Sequence, residues 1–314
     1  MNMKEYGFGV DVGGTTCKLG FFKTDGTLLD KWEIVTDTSN NGANILKDIT
    51  DAIYEKMAEN NITKDDVQGI GVGVPGAVTP DGVVNRCVNL GWGVVPIEKD
   101  LAEISGMKVR AANDANIAAL GEAWMGGGKG CDSVVMVTLG TGIGGGIVIN
   151  NQIITGHHGA AGEIGHIVVN PDEILECNCG NHGCIEQYAS ATGIVRLAKR
   201  HMDRSQKASP IRDIADLTAK DVFDYAKKKD ELSVEIVETV CGLLGKLIAK
   251  ICNVVNPEIV LIGGGVSKAG NIIIENMMED FTSEVFHASK DTKIALATLG
   301  NDAGIYGGLR LILD

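Results

Sequence analysis

The sequence has no excess of basic residues: 28 lysines and arginines stand against 41 aspartates and glutamates, a net charge of −13. Such a balance repels nucleic acid and anionic membrane, and a small anionic substrate would need local basic groups, backbone amides or a metal to bind. No nucleic-acid or membrane partner is therefore expected. No apolar run approaches the roughly 18 residues that a membrane-crossing helix needs. The start, MNMKEYGFGVDVGGTT, lacks a basic region followed by an apolar stretch and a small-residue cleavage site, so a cytoplasmic protein is expected. Aromatic residues are scarce at 4%, whereas the hydrophobic (44%) and charged (22%) fractions are ordinary for a globular protein. Low-complexity segments and long linkers are also missing.

What the chain has in abundance is glycine, 42 residues in 314, which must serve tight turns and close backbone approaches. The length predicts two domains or one large α/β unit. YGFGVDV, CKLGFFK and LLDKWEIV read as consecutive strands, the first two as a hairpin. A helix follows at about 42–60, with Ile45, Ile49, Ile53 and Met57 four apart. VQGIGVGVPG is a buried strand, and a helix from about 115 to 125 is stopped by GGGKG. SVVMVTLGTGIGGGIVIN then repeats the opening layout of strand, Gly/Thr-rich turn and strand, a pseudo-repeat that predicts two related domains. Helices are expected near 190–203, 219–228 and 231–255, with a polar surface excursion at 203–220. EIVLIGGGVSKAG gives a strand, a glycine turn and a helix, and NDAGIYGGLRLIL a closing amphipathic helix. Of 8 cysteines, Cys17, Cys87, Cys131, Cys241 and Cys252 lie among apolar residues and read as buried small hydrophobes.

The glycine-rich turns need a ligand to explain them. No G-x-x-x-x-G-K-[ST] is present, and the formal G-x-G-x-x-G at Gly140, Gly142 and Gly145 continues into a strand, whereas a dinucleotide fingerprint opens a helix. What remains is a pair of hairpin turns, DVGGTTCKLG and LGTGIGGG, whose successive N–H groups and threonine hydroxyls make anion-binding concavities. Joined by a third turn, LIGGGVS, they favour a nucleotide over plain hairpins.

The Asp-x-Gly-Gly-Thr start, the Leu-Gly-Thr-Gly turn and the late Gly-Gly-Gly turn resemble the phosphate-1, phosphate-2 and adenosine elements of sugar kinases of the actin-like ATPase (ribonuclease H-like) fold. EIGH followed by CNCGNHGCIE is similar to the signature of the ROK family of sugar kinases and repressors. The resemblance implies an α/β protein of two domains with an interdomain cleft, drawn at 1–115 with 301–314 and at 116–300, the latter carrying a zinc loop. It implies ATP and Mg²⁺, with Asp11, Gly13, Gly14, Thr15, Thr16 and Lys18 in one turn and Gly140, Thr141 and Gly142 in the other, and Gly264 and Gly265 at the adenosine. It implies structural Zn²⁺ on Cys177, Cys179, Cys184 and His166, a closed set with no position for water, with His157, His158 and His182 left as loop residues.

On its residues alone, AANDANIAALGEAW places Asn113 and Asp114 before a helix that either could cap. The resemblance instead makes Asp114 the general base and gives Asn113, Gly76, Glu163, His166 and Glu186 to the hexose. Phosphorylation of a neutral hexose is thus expected, glucose first, with N-acetylmannosamine or fructose as alternative acceptors. A sugar-sensing repressor is a reading of another class; such proteins carry a winged-helix segment ahead of the kinase-like body, for which the early Asp11 leaves no room, and the negative charge opposes DNA binding. A homodimer is expected by analogy with the family.

Overall fold

The structure, a computed structural model, describes residues 3–313. The chain forms two compact units, one of Met1–Ser133, Gly146–Gly162 and Leu299–Asp314, the other of Val134–Gly145 and Glu163–Thr298. Residues 116–133 and 146–162 thus lie in the first unit, whereas the expected boundary at 115/116 put them in the second domain. Residues 1, 2 and 314, also within the expected first domain, fall outside the described residues.

Two five-stranded sheets carry the fold. Strands β1 (Tyr6–Val12), β2 (Thr16–Lys23), β3 (Leu28–Val35), β4 (Val67–Val74) and β5 (Val109–Asn113) form the first in the order β3-β2-β1-β4-β5. Strands β6 (Ser133–Leu139), β7 (Ile143–Ile149), β8 (Gln152–Ile153), β9 (Ile259–Gly263) and β10 (Lys293–Leu296) form the second in the order β10-β9-β6-β7-β8. Read from the hairpin outward the two orders coincide, with β6 and β7 in the places of β1 and β2 and with β9 and β10 in those of β4 and β5. The pseudo-repeat in the sequence is therefore a repeated sheet topology.

Strand identity follows from the apolar runs. Phe8, Val10 and Val12 of β1, Leu19 and Phe21 of β2, and Ile70, Val72 and Val74 of β4 are buried in the first core, against the helix Ile45–Glu59 through Ile45, Ile49, Ile53 and Met57. The helix Glu231–Val255 has the bounds the sequence predicts and buries its stripe from Leu232 to Cys252. Two helical features depart from expectation. The closing helix, Ala303–Ile312, is not amphipathic, since none of its residues is exposed, and the helix Ile97–Ser105 has no clear forerunner in the sequence pattern. The excursion at 203–220 contains a short turn of helix, Pro210–Asp213, and buries Ile211 and Leu217. Cys17, Cys87, Cys241 and Cys252 are buried as expected, but Cys131 is half-exposed, next to the glycine-rich stop.

The closing helix is enclosed because its glycines admit other backbones. A Cβ on Gly307 would stand 1.7 Å from the Ile117 carbonyl oxygen, and one on Gly71 of β4 1.7 Å from that of Gly308. Gly71→Ala should therefore force the helix off the sheet and lower stability by about 1–3 kcal/mol, the usual cost of overpacking. A thermal or urea melt of the variant is the check; an unchanged melt would mean that the helix can shift at no cost.

Candidate active site and metal centre

Register assembles the site of the first unit. β1 and β4 pair in parallel with Asp11 opposite Gly73, and β4 and β5 with Gly73 opposite Ala112 and Val74 opposite Asn113. Asp11, Gly76, Asn113 and Asp114 consequently gather at the carboxyl ends of three neighbouring strands, where open α/β sheets bind ligands. Asn113 settles which residue caps the helix Asp114–Met125: its Oδ1 accepts from the N–H of Ala115 at 2.9 Å and of Asn116 at 3.2 Å. Its Nδ2 donates to the Gly76 carbonyl at 3.0 Å, so the cap also fixes the turn that follows β4. Asp114 occupies the first helical position and is exposed; its Oδ1 accepts from the Ala115 N–H at 2.8 Å.

Asp11 is the electrostatically strained member. Burial pushes its carboxyl up to about 6, the negative charge of Asp114 adds to the rise, and Lys18, its partner across the hairpin, opposes it. A carboxylate held against burial and a second carboxylate is a position that a cation would relieve. The adjoining turn is braced from β3 and its flank: Thr36 donates its hydroxyl to the Gly13 carbonyl at 2.7 Å and its N–H to that of Thr15 at 2.9 Å. Lys18 Nζ donates to the Asn301 carbonyl at 3.4 Å.

The second unit repeats this device. At the carboxyl ends of β6 and β9, Thr138 lies opposite Gly263. The turn 140–142 has its carbonyls tied back in the same way, that of Gly140 to the Ala191 N–H at 2.8 Å and that of Thr141 to the Thr192 hydroxyl at 3.0 Å. Turning carbonyls into the protein removes the lone pairs that would repel an anion. Gly264, with φ +83°, passes so close to the Leu139 backbone that a Cβ there would stand 2.5 Å from its oxygen. A cavity of about 500 Å³ opens between these two turns, lined by Gly140, Thr141 and Gly265 and walled by Thr218, Phe223 and Lys268. Its volume suits a small organic ligand such as a nucleoside. The wall from the helix Ala219–Lys227 and its cap Thr218 escaped the sequence reading; the Thr-x-x-Asp capping box at Thr218 and Asp221 marks a helix start there but no ligand.

The Cys/His cluster forms beside this turn. His166 Nδ1 lies 3.8 Å from Cys177 Sγ, Cys179 Sγ lies 3.7 Å from Cys184 Sγ, and all four ligand atoms fall within 4.8 Å of one another. Four bonds of about 2.0–2.3 Å meeting tetrahedrally at zinc put sulfurs about 3.8 Å apart and sulfur and nitrogen about 3.6 Å apart. The spacing fits such an ion and is far too long for a disulfide, and all eight cysteines are free. Burial and the neighbouring thiols push Cys184 up to about 12, so a cation is what would hold the set together as thiolates. The loop closes through Gly180 and Gly183, at φ +89° and +75°, conformations that side chains rarely adopt. Among the described residues no other group of this kind occurs, and His157, His158 and His182 stand outside it.

Two carboxylates connect the cluster to its surroundings. Glu163 Oε2 is 4.0 Å from His166 Nε2, the nitrogen that faces away from the sulfurs. Glu186 Oε1 lies 3.9 Å from Cys177 Sγ, while its Oε2 accepts from the Ile143 N–H at 2.9 Å. Behind them Glu173, buried and held well below the usual carboxylate range by its hydrogen bonds from Arg200, anchors the segment that precedes the cysteines: Arg200 donates twice, at 2.6 and 2.8 Å, and Tyr188 once at 2.7 Å. Nothing in the sequence pattern singles out this trio.

A model of the ROK family matches residues 7–314. A glucokinase of Halalkalibacterium halodurans is 44% identical over 305 residues, covering 96% of this chain and 92% of that protein. One of Thermotoga maritima is 36% identical, covering 98% and 96%. Among solved structures, a ROK family glucokinase from Streptomyces griseus in complex with glucose and AMPPNP aligns with a TM-score of 0.76 and 31% identity over 98% of both chains. The two sheets with their hairpin turns are those of the actin-like ATPase fold. With the match running from β1 through the closing helix, this chain belongs to the ROK family.

Proposed function

We propose that this chain is an ATP-dependent glucokinase that transfers the γ-phosphoryl group of MgATP to the 6-hydroxyl of glucose, with Asp114 as general base. The observation that carries the reading is the division of labour at 113 and 114. Asn113 makes the cap and holds Gly76, so the exposed carboxylate of Asp114 is fixed at the end of β5 without serving as the cap. A hydroxyl brought against it can lose its proton while attacking phosphorus. The glucokinases similar to this chain, and the glucose and AMPPNP bound by one of them, support the acceptor and the donor.

We assign the remaining roles as follows. Asp11 would hold Mg²⁺, directly or through water, and that ion would spread the phosphate charge. Gly13, Gly14, Thr15, Thr16 and Lys18 in the first unit and Gly140, Thr141 and Gly142 in the second are assigned to the phosphates, and Gly264 and Gly265 with the cavity beside them to adenosine. Asn113, Gly76, Glu163, His166 and Glu186 are assigned to hexose hydroxyls. His166, Cys177, Cys179 and Cys184 would hold zinc, whose four protein ligands leave it a structural role. A homodimer is part of the reading; Ile167, Val168, Ile174 and Leu175, all exposed around the cysteine loop, offer an apolar face for it. No helix among the described residues is long and apolar enough to cross a membrane, and we assign the enzyme to the cytoplasm.

Three outcomes test this. Asp114→Ala should lower kcat by at least about 10²-fold, the size of general-base catalysis, with its melting temperature near that of the parent. Asn113→Ala should instead lose about 0.5–2 kcal/mol of stability through the broken cap. A folded Asp114→Ala protein of near-normal kcat would end the assignment.

Glucose should show the highest kcat/KM in a coupled ADP-release assay against N-acetylmannosamine and fructose, because a site that hydrogen-bonds hydroxyls penalises their inversion or absence. A tenfold preference for either rival would move the acceptor and leave the kinase.

Freshly purified protein should contain about one zinc per chain, with Zn–S near about 2.3 Å by X-ray absorption. Cys179→Ala should lose the ion and raise KM for the hexose, since Glu163 and Glu186 flank the ligands. Active, folded protein free of zinc would leave the cysteines without that role.

A further inference from the structure

The carboxylate of Glu186 is shared between two places. It opens the short helix Glu186–Ala189 directly after the cysteine loop, and one of its oxygens faces Cys177 Sγ at 3.9 Å. The other accepts from the N–H of Ile143 at 2.9 Å and lies so near the turn that a Cβ on Gly142 would stand 2.3 Å from it. The same Ile143 is gripped from its other side by the segment carrying Glu163 and His166, where a Cβ on Gly165 would stand 2.1 Å from the Ile143 carbonyl oxygen. Ile143, which follows the turn and opens β7, is thus clamped between two pieces of chain that each lead to a ligand of the Cys/His cluster.

Apart from the cluster, the cysteine loop is held at its base, by Glu173 with Arg200 and Tyr188 and by Gln187, whose Oε1 accepts from the N–H groups of Gly183 at 2.7 Å and Cys184 at 3.1 Å. Its pairing is limited to isolated bridges, Val168 with Cys184 and Glu176 with His182, and Ile167, Val168, Ile174 and Leu175 are exposed, so they add no core. An ion bonded to four positions would remove most of the conformational freedom of such a loop. Loss of that order reaches Glu186 first, and through it the N–H and the glycine that shape the turn.

We propose that Glu186 is a positioning residue through which the metal in the Cys/His cluster sets the 140–142 turn, so that metal and nucleotide each tighten the binding of the other. The proposal rests on the assignment of that turn to the phosphates of ATP. The linkage is reciprocal: the factor by which metal raises nucleotide affinity equals the factor by which nucleotide raises metal affinity.

The test uses the full chain and reads binding, not turnover. Affinity for the Mg²⁺ complex of AMPPNP is measured by calorimetry on zinc-loaded and metal-stripped protein, and zinc affinity by competition with a chromophoric chelator, with and without the nucleotide. Circular dichroism identifies preparations that remain folded. The expected result is a coupling of at least about fivefold, the low end of such linkages, equal in the two directions. It should fall to within twofold of unity in Glu186→Ala. Gly142→Ala, which pushes the carboxylate off the turn while leaving every cysteine in place, should reduce it likewise and keep its zinc.

Nucleotide affinity that is the same within twofold in loaded and stripped folded protein overturns the proposal, as does full coupling retained in both variants. Zinc-loaded parent protein that binds no nucleotide overturns the kinase reading as well, which separates the two failures.

Discussion

Where the closing helix crosses the first sheet, backbone meets backbone. A Cβ on Gly9 would stand 1.9 Å from the Ile305 carbonyl oxygen, and one on Gly121, in the helix that begins at Asp114, 2.2 Å from that of Ala303. Such contacts bring a strand and two helices nearer than side chains permit, and glycine is the residue that allows it. The carboxylates of this unit depend on the result. Gly304 places the first turn of the closing helix against Asp11, where a Cβ would stand 2.7 Å from the carboxyl carbon. Gly73, level with Asp11 in the sheet, admits Ile117 and with it the start of the Asp114 helix. A methyl group at Gly9 or Gly121 would press on the backbone of the closing helix, and one at Gly304 on the carboxyl group of Asp11 itself.

The second unit meets a different problem. Between Ile167 and Glu186 the chain has bridges but no strand longer than one pair, and Ile167, Val168, Ile174 and Leu175 face outward while Cys177, Cys184 and Ile185 are buried. A segment with so little core needs anchoring: the buried Glu173 with Arg200 and Tyr188 holds its root, and an ion on His166 and the three cysteines would hold its tip. Removing one partner of such a buried ion pair would leave an unpaired charge, so the root is held for electrostatic reasons, as the tip would be for coordinative ones with a metal bound. Glu186 emerges beside the cluster, its Oε1 3.9 Å from Cys177 Sγ and its Oε2 accepting from the Ile143 N–H.

Much of this was legible in the sequence because it is written in runs. Strands β1, β2 and β4 and the helix Glu231–Val255 are apolar patterns ended by a glycine-bearing turn or by a left-handed residue such as Asn256, and the cysteines with His166 announce themselves by type and spacing. The helix Ile97–Ser105 was not legible, since only Ile97 and Leu101 of its apolar residues are buried and Ile104 is exposed. Strand β10, four residues long at a sheet edge, is too short to show a period. The closing helix looked amphipathic because its glycines counted as a polar face, when they are the surface that other backbones fill. At the site, Asn113 and Asp114 could be singled out but not told apart as cap and carboxylate, because that depends on which side chain folds back on the helix. The cavity wall at Thr218 and Phe223 comes from a segment far along the chain and had no chemical signature.

The repeated sheet also carries different chemical groups at equivalent positions. Asp11 on β1 lies opposite Gly73 on β4, and Thr138 on β6 lies opposite Gly263 on β9, so the two residues hold equivalent places in their sheets. In the first unit that place and the end of β5 carry carboxylates, which repel an anion unless a cation intervenes and which can accept a proton. In the second the place carries a neutral hydroxyl, and the turn beyond it offers glycine backbone with its carbonyls turned inward. A polyphosphate approaching a chain of net charge −13 would be repelled at long range and would have to be held by local dipoles. The equivalent positions therefore differ in kind: in the first sheet an acid that a cation or a proton would neutralise, in the second a neutral hydroxyl followed by a turn whose carbonyls point into the protein.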